Sequence, residues 1–365
     1  MRFRVPRRCY RQHVSTRPPD DASMSGTPSV LRRRPTIADV ARLADVSTAT
    51  VSRVLSGVAK VSAEKQAQVL RAIEQLDYNP SDLTRAVFSG RSNGVGVLVA
   101  DMRNPYYVDL VRGVESVITE GGGLVFLANG SRDPERQQAI LRAMDAQRLR
   151  GLVITANRGI DEGIVRRMAD RGAEVVFVTR PAGISHPRIH SVRVDDEAVG
   201  ALAWKHLRDR GRRNVAVVTQ SLDTVTQRAR LRGIRDAARL DGVELSDDRV
   251  VELRSSDEPA RGLNEVLKVR GDAGRGPVDA VFAATGIGTL RAYQELVDLG
   301  VRVPDDVAFV GFDDFLWAPY LASPLTVVTQ PSLEMGTRAA RLIIDEPGTA
   351  VERVLAPSLT VRAST

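Results

Sequence analysis

Apolar positions recur along the chain in two different rhythms. From Thr36 to Tyr78 they keep helical spacing. Thr36 is placed to cap a first helix, and Asp39, three residues on, can complete a capping box. Ile37, Val40, Ala41 and Ala44 then repeat at helical intervals. Asp45-Val46-Ser47 breaks the repeat, and Ser47 caps a second helix from Thr48 to about Leu55, with Val51, Val54 and Leu55 facing inward. Ser56-Gly57 ends it. Ser62 caps a third helix carrying Val69, Ile73 and Leu76, and Asn79-Pro80 stops that one. A fourth short helix, about Ser81–Phe88, has only one or two apolar positions per turn, too few to fold alone.

After Gly94 the rhythm changes. Continuous runs rich in β-branched residues alternate with amphipathic helices: Val95–Ala100, Leu124–Ala128, Leu152–Thr155 and Val175–Val178, then Val215–Val218, Ala280–Ala284, Val307–Val310 and Leu325–Val328. Such runs, bounded by turn residues, imply buried parallel strands in a doubly wound α/β arrangement. They divide near Asp195-Asp196 into two sets of about four. That predicts two similar subdomains with a cleft between them, and ligands bind at the carboxyl ends of such strands.

Composition narrows the classes. The net charge of +7 resembles a nucleic-acid signature. Its location removes most of that meaning. Residues 1–35 carry nine arginines against two aspartates, the whole of the excess, so DNA binding has to be argued from motifs. That segment shows no hydrophobic period and reads as a disordered basic tail. Met24 offers an alternative start that removes most of it. A single cysteine, Cys9, excludes an intramolecular disulfide and fits a reducing compartment. No run approaches the length of a membrane span, and no apolar stretch follows the basic start as in a secretory signal. The expectation is a cytoplasmic protein.

Thr36–Leu55 has the spacing of a helix-turn-helix, with small residues at Ala41 and Ala44 where two helices cross closely. In that motif the N-terminal residues of the second helix meet base edges in the major groove. Here those are Thr48, Ala49 and Thr50, with Arg53 one turn on. Thr and Ala methyls suit a thymine methyl, and Arg suits guanine acceptors. Ser47, Thr50, Ser52 and the helix N-termini suit phosphate contacts. Spacing alone fits an ordinary pair of core helices somewhat better. In the fourth helix, Arg85 and Val87 fit a minor-groove wedge or a solvated linker.

The segment from Thr36-Ile37-Ala38-Asp39-Val40-Ala41 through Val46-Ser47-Thr48-Ala49-Thr50-Val51-Ser52-Arg53-Val54-Leu55 resembles the DNA-binding start of the LacI/GalR family of bacterial repressors. Leu76-Asp77-Tyr78-Asn79-Pro80 continues the likeness. Asn104-Pro105-Tyr106-Tyr107, Val194-Asp195-Asp196 with Gly200, Arg230-Leu231-Arg232-Gly233, Val310-Gly311-Phe312-Asp313-Asp314 and Gln330-Pro331 with Glu334-Met335-Gly336 carry it to the C-terminus. The resemblance implies four regions. They are a tail at 1–35, a helix-turn-helix domain at 36–79, a hinge helix and linker at 80–92, and a periplasmic-binding-protein-like effector and dimerisation core at 93–365. It implies a homodimer or tetramer on palindromic double-stranded operator DNA, controlled by a small effector, a sugar or related metabolite. It carries Tyr107 (or Tyr106 beside it), Asn157, Arg230 and Asp313 into the effector cleft, and Thr36, Ser47, Thr48, Ala49, Thr50, Arg53, Arg85 and Val87 onto DNA.

Several positions depart from the family pattern. Asp45 stands where the turn usually has glycine, which requires Asp to take the left-handed conformation. Val87 replaces the usual intercalating leucine. Thr179 replaces a frequent aspartate before Arg180, and Ala284-Thr285-Gly286-Ile287-Gly288 lacks the usual Asn-Asp. Two other functions remain to be weighed. For an enzyme, Gly286-x-Gly288 is a weak dinucleotide signal, and neither a phosphate loop nor a nucleophile elbow is present. His186 and His190 read as surface residues of a Pro-containing loop, not metal ligands. No catalytic residue, metal or cofactor is expected. For a transport binding protein the core looks the same, but the attached helix-turn-helix argues against it.

Overall fold

A computed structural model describes residues 35–56, 61–78, 92–131, 133–155, 159–254, 258–268 and 277–365. The chain divides into two units, one formed around residues 36–79 and one containing everything from Pro80 onward, with residues 52–60 grouped in the second. The expected hinge helix at 81–88, with Arg85 and Val87, lies outside the described residues, as does Asn157.

In the first unit, α1 (Ile37–Leu43), the start of α2 (Thr48–Ser56) and α3 (Ala63–Gln75) follow the sequence pattern. Asp39 accepts from both the Thr36 amide (2.9 Å) and its hydroxyl (2.6 Å), fastening the first turn of α1. Val40, Ala41, Ala44, Val51, Val69 and Ala72 are buried. Asp45 takes φ 50°, the left-handed conformation the turn requires.

The second unit is built on β1 (Ser92–Val99), α4 (Tyr106–Glu120), β2 (Leu124–Asn129), α5 (Pro134–Ala146), β3 (Leu149–Ile154), α6 (Glu162–Asp170), β4 (Glu174–Val178) and β5 (Ile189–Val194). It continues through α7 (Asp196–Asp209), β6 (Val215–Gln220), α8 (Val225–Leu240), β7 (Val250–Leu253), α9 (Gly262–Lys268), β8 (Ala280–Ala283), α10 (Gly286–Asp298), β9 (Ala308–Phe312) and β10 (Thr326–Thr329). It ends with α11 (Ser332–Ile344), β11 (Glu352–Leu355) and β12 (Ser358–Thr360). One six-stranded sheet runs β11-β5-β4-β3-β1-β2 and is parallel throughout. The other runs β12-β10-β9-β8-β6-β7 and is parallel except for β12.

Each expected strand run is a strand, but the described residues hold twelve strands where about eight were legible. The four extra strands sit where apolar runs fail: β5 is interrupted by His190 and Ser191, β7 is short, and β11 and β12 return late from the C-terminus. His190 is therefore not on a surface loop. It is buried in β5, its Nε2 at 3.1 Å from Glu174 Oε2, while its Nδ1 accepts from the Val351 amide. This polar cluster ties the chain leading into β11 to the middle of the first sheet. The division at Asp195 is only the first of three crossings. After β10 the chain returns at Gln330-Pro331 to pack α11 on α4, and after β11 it crosses again to add β12.

Candidate functional site

In the first unit, Ser47 caps α2. Its Oγ accepts from the Thr50 amide (3.2 Å) and shares a hydrogen bond with the Thr50 hydroxyl (2.9 Å). The cap fixes the first turn, and Thr48 and Ala49 stand exposed on it. Arg53, one turn further along α2, is exposed as well. These are the positions from which a helix end reaches base edges.

In the second unit, the carboxyl ends of both sheets face a cleft of about 750 Å³. That lies within the ordinary range of small-molecule sites, ~300–1,000 Å³. From the first subdomain come Asp101 and Arg103, paired at 2.9 Å, and Tyr106 and Tyr107, which meet edge to face with centroids 5.0 Å apart. Gln137, on the first turns of α5, lines the same side. From the second come Arg230, Thr285, Gly286, Phe312, Asp313, Phe315 and Trp317. Phe315 and Trp317 stack with centroids 5.1 Å apart, giving the cleft an aromatic wall.

Arg230 is 4% exposed. Its guanidinium is fixed on three sides: Nε donates to Asp196 Oδ1 (2.8 Å), Nη1 donates to the Ala284 carbonyl (2.7 Å), and Cζ lies 3.8 Å above the Phe312 ring. Asp313, 8% exposed, takes φ 64°, and its Oδ1 accepts from Gln330 Nε2 at 3.0 Å. Burial pushes its pKa up to about 6, against the lowering effect of the Gln330 hydrogen bond and the Arg230 charge. Thr179, at the end of β4, also has a positive φ, 79°, unusual for a β-branched residue, and its carbonyl accepts from the Thr226 hydroxyl across the cleft (3.4 Å). Strained backbone of this kind gathers at ligand sites.

Gly286-x-Gly288 has a local explanation. A Cβ at Gly286 would crowd Phe315 and Asp313 Oδ2, and the Gly288 amide donates to the Thr285 cap at 2.9 Å. The glycines seat the start of α10 against the cleft wall. Tyr107, Arg230 and Asp313 thus line one cleft. Sequence reasoning missed Gln137, since a lone glutamine on a helix carries no motif, and saw Gln330 only as part of the family likeness, with no role assigned to it.

Residues 36–81 match the model of bacterial regulatory proteins of the lacI family, and residues 204–365 that of a periplasmic binding protein-like domain. The HTH-type transcriptional regulator PtxS of Pseudomonas aeruginosa is 34% identical over 355 residues, covering 94% of this chain and 99% of that protein. The chain belongs to the lacI family. Among other lacI-family relatives, the HTH-type transcriptional repressor PurR of Aliivibrio fischeri is 29% identical over 85% of this chain and 91% of its own. The solved complex of the regulator CelR with cellobiose is 31% identical, with a TM-score of 0.66 over 91% of this chain and all of that one. As a lacI-family member, the chain is a DNA-binding transcriptional regulator, and its relatives are regulators, not enzymes. Among the described residues no helix is long and apolar enough to cross a membrane, and no group of three metal-ligating side chains forms.

Proposed function

We propose that the protein is a repressor that binds a palindromic operator as a homodimer and is released or engaged by a small polyhydroxylated effector, a sugar, in the cleft. The observation that carries the effector reading is that Arg230 and Asp313 line the same cleft. Both are buried at the cleft, backed by the Phe315–Trp317 stack. A fixed guanidinium supplies donors and a carboxylate supplies acceptors, the complement of adjacent sugar hydroxyls, while the aromatic wall suits the apolar face of a pyranose. CelR was solved with cellobiose, which supports a sugar in the corresponding cleft here. Tyr107 and Asn157 complete the proposed effector set.

At the other end, Thr48, Ala49 and Arg53 read bases, and Thr36, Ser47 and Thr50 hold the backbone, with Arg85 and Val87 of the hinge in the minor groove. The dimer reading is supported by β2. This edge strand exposes Leu124, Phe126 and Leu127, and Val108 of α4 is also exposed. An apolar edge strand invites pairing with a second copy. A tetramer is the alternative assembly, read out by the same sedimentation measurement.

The test has two steps. Binding-site selection yields the operator, and a two-fold symmetric consensus supports the dimer. Fluorescence anisotropy on that operator is then repeated with a sugar panel. A panel member that changes operator affinity ~5–150-fold matches ordinary allosteric coupling. An asymmetric consensus with no response to any sugar would overturn the reading.

A further inference from the structure

The polar groups on the first-subdomain side of the cleft are nearly all committed. Asp101 is tied to Arg103 through two oxygens, and Asn104 Oδ1 accepts from the Tyr106 amide at 3.0 Å. Gln137 is different. It is 2% exposed, lines the cleft, and its side-chain carbonyl Oε1 has no hydrogen-bond partner among the described residues. Its position is built. It lies on the fourth residue of α5, whose start is fixed by the Asp133 cap and Pro134. It packs against Gly130, where a Cβ would overlap the Gln137 Cγ. Buried carbonyls of this kind are rare in native proteins, because leaving an acceptor dry is costly.

Across the cleft the same situation recurs. Gln330, 9% exposed, spends its Nε2 on Asp313 and leaves its own Oε1 unpartnered. Two unsatisfied acceptors, one on each side of the cleft, call for a ligand that presents hydrogen-bond donors in both directions.

We propose that Gln137 determines effector specificity: its Oε1 accepts a hydrogen bond from a hydroxyl at the end of the effector that lies against the first subdomain. This rests on the sugar-effector reading above and adds to it a residue and a required donor. A ligand deoxygenated at that hydroxyl leaves the carbonyl as dry as in the free protein and forgoes the hydrogen bond, so it binds more weakly.

The test uses the full-length chain and thermal-shift titration with cellobiose, glucose, ribose and gluconate, followed by single-deoxy analogues of each sugar that binds. Gln137→Met keeps the volume and removes the acceptor; Gln137→Glu keeps an acceptor in the same place. The inference expects Gln137→Met to weaken the binding sugar about tenfold, one neutral hydrogen bond's worth. One deoxy analogue should bind parent and Gln137→Met alike, and Gln137→Glu should restore binding of the full sugar. The free Gln137→Met protein should melt no lower than the parent, since it no longer buries a dry carbonyl. A purely structural Gln137 gives the reverse: a lower melting temperature with unchanged sugar affinity, and that result overturns the inference while leaving the sugar reading intact. If no sugar in the panel shifts the parent, the sugar reading fails and the inference falls with it.

Discussion

Arg230 Nε donates to Asp196 Oδ1 at 2.8 Å, joining the second turn of α8 to the first residue of α7, and both side chains are buried. Burial raises the Asp196 pKa while Arg230 opposes the rise. The pair therefore holds the guanidinium at the cleft and depends on it for its own ionisation. Arg230→Met removes the only one of the two that faces the cleft and leaves a buried carboxylate alone. The expected cost is about 3–5 kcal/mol in urea denaturation, with part recovered in the Arg230→Met/Asp196→Asn double variant. A single variant as stable as the parent would show that the pair does not hold the site together.

Asp313 predicts a pH dependence of opposite sign to that of an ordinary ion-paired carboxylate. Its folded pKa, about 6, lies above its ordinary value of 3.8. Folding therefore takes up a proton there. Its contribution to stability is fully present below the ordinary value and is lost as pH rises through about 6, by up to about 3 kcal/mol. Asp313→Asn removes this dependence. The difference in unfolding free energy between variant and parent should thus move in the variant's favour as pH rises from 3.8 to about 6 and level off above that. A difference that stays constant over that range would place the titrating carboxyl elsewhere. Arg230 and Gln330 are the groups facing it whose substitution should shift the midpoint.

Four glycines make the two main helix crossings possible. A Cβ at Gly113 would collide with the Leu333 carbonyl and one at Gly336 with that of Leu110, where α4 crosses α11. In the other subdomain, Gly200 faces the Arg230 carbonyl and Gly233 that of Glu197, where α7 crosses α8. Backbone against backbone leaves no flexible side chain to yield. Gly233→Ala should therefore cost at least the ~1–3 kcal/mol of an overpacked core, measured by urea denaturation. Gly121→Ala, at negative φ and clear of close neighbours, should change stability by no more than about 0.5 kcal/mol. Equal effects at both sites would remove the close-approach explanation.

These crossings also mark where sequence reading ends. In the first unit the left-handed Asp45 came through the family likeness, but local signals carried the rest: the Thr36 and Ser47 caps follow from residues a few positions apart. The strands of both sheets that read as apolar runs were legible for the same reason. β5 was not, because His190 is satisfied by Glu174 from a neighbouring strand and by the Val351 amide, a partner far along the chain. Gly200, Gly233 and Gly336 were visible only as parts of a family likeness, and their reason is a contact with a distant helix. At the cleft, Arg230 and Asp313 came through that likeness, whereas Gln137 had neither motif nor period. Its significance lies in a missing partner, which only three-dimensional packing reveals.

The DNA-reading helix separates two kinds of substitution. Ser47 acts on α2 itself, through the 3.2 Å bond from the Thr50 amide. Ser47→Ala should cost about 1 kcal/mol of stability as a lost cap and weaken binding to all sequences in step, because every base-reading residue is on the turn it loosens. Arg53 is exposed one turn further on, and its proposed role is bidentate recognition of a guanine. Arg53→Ala should leave the melting temperature near the parent's, cost ~1–3 kcal/mol on the preferred operator, and relax one base pair in each half-site. Binding-site selection on parent and both variants distinguishes the two. An unchanged consensus for Arg53→Ala, with affinity lost evenly across sequences and a shallower salt dependence, would make Arg53 a phosphate contact and leave base reading to Thr48 and Ala49.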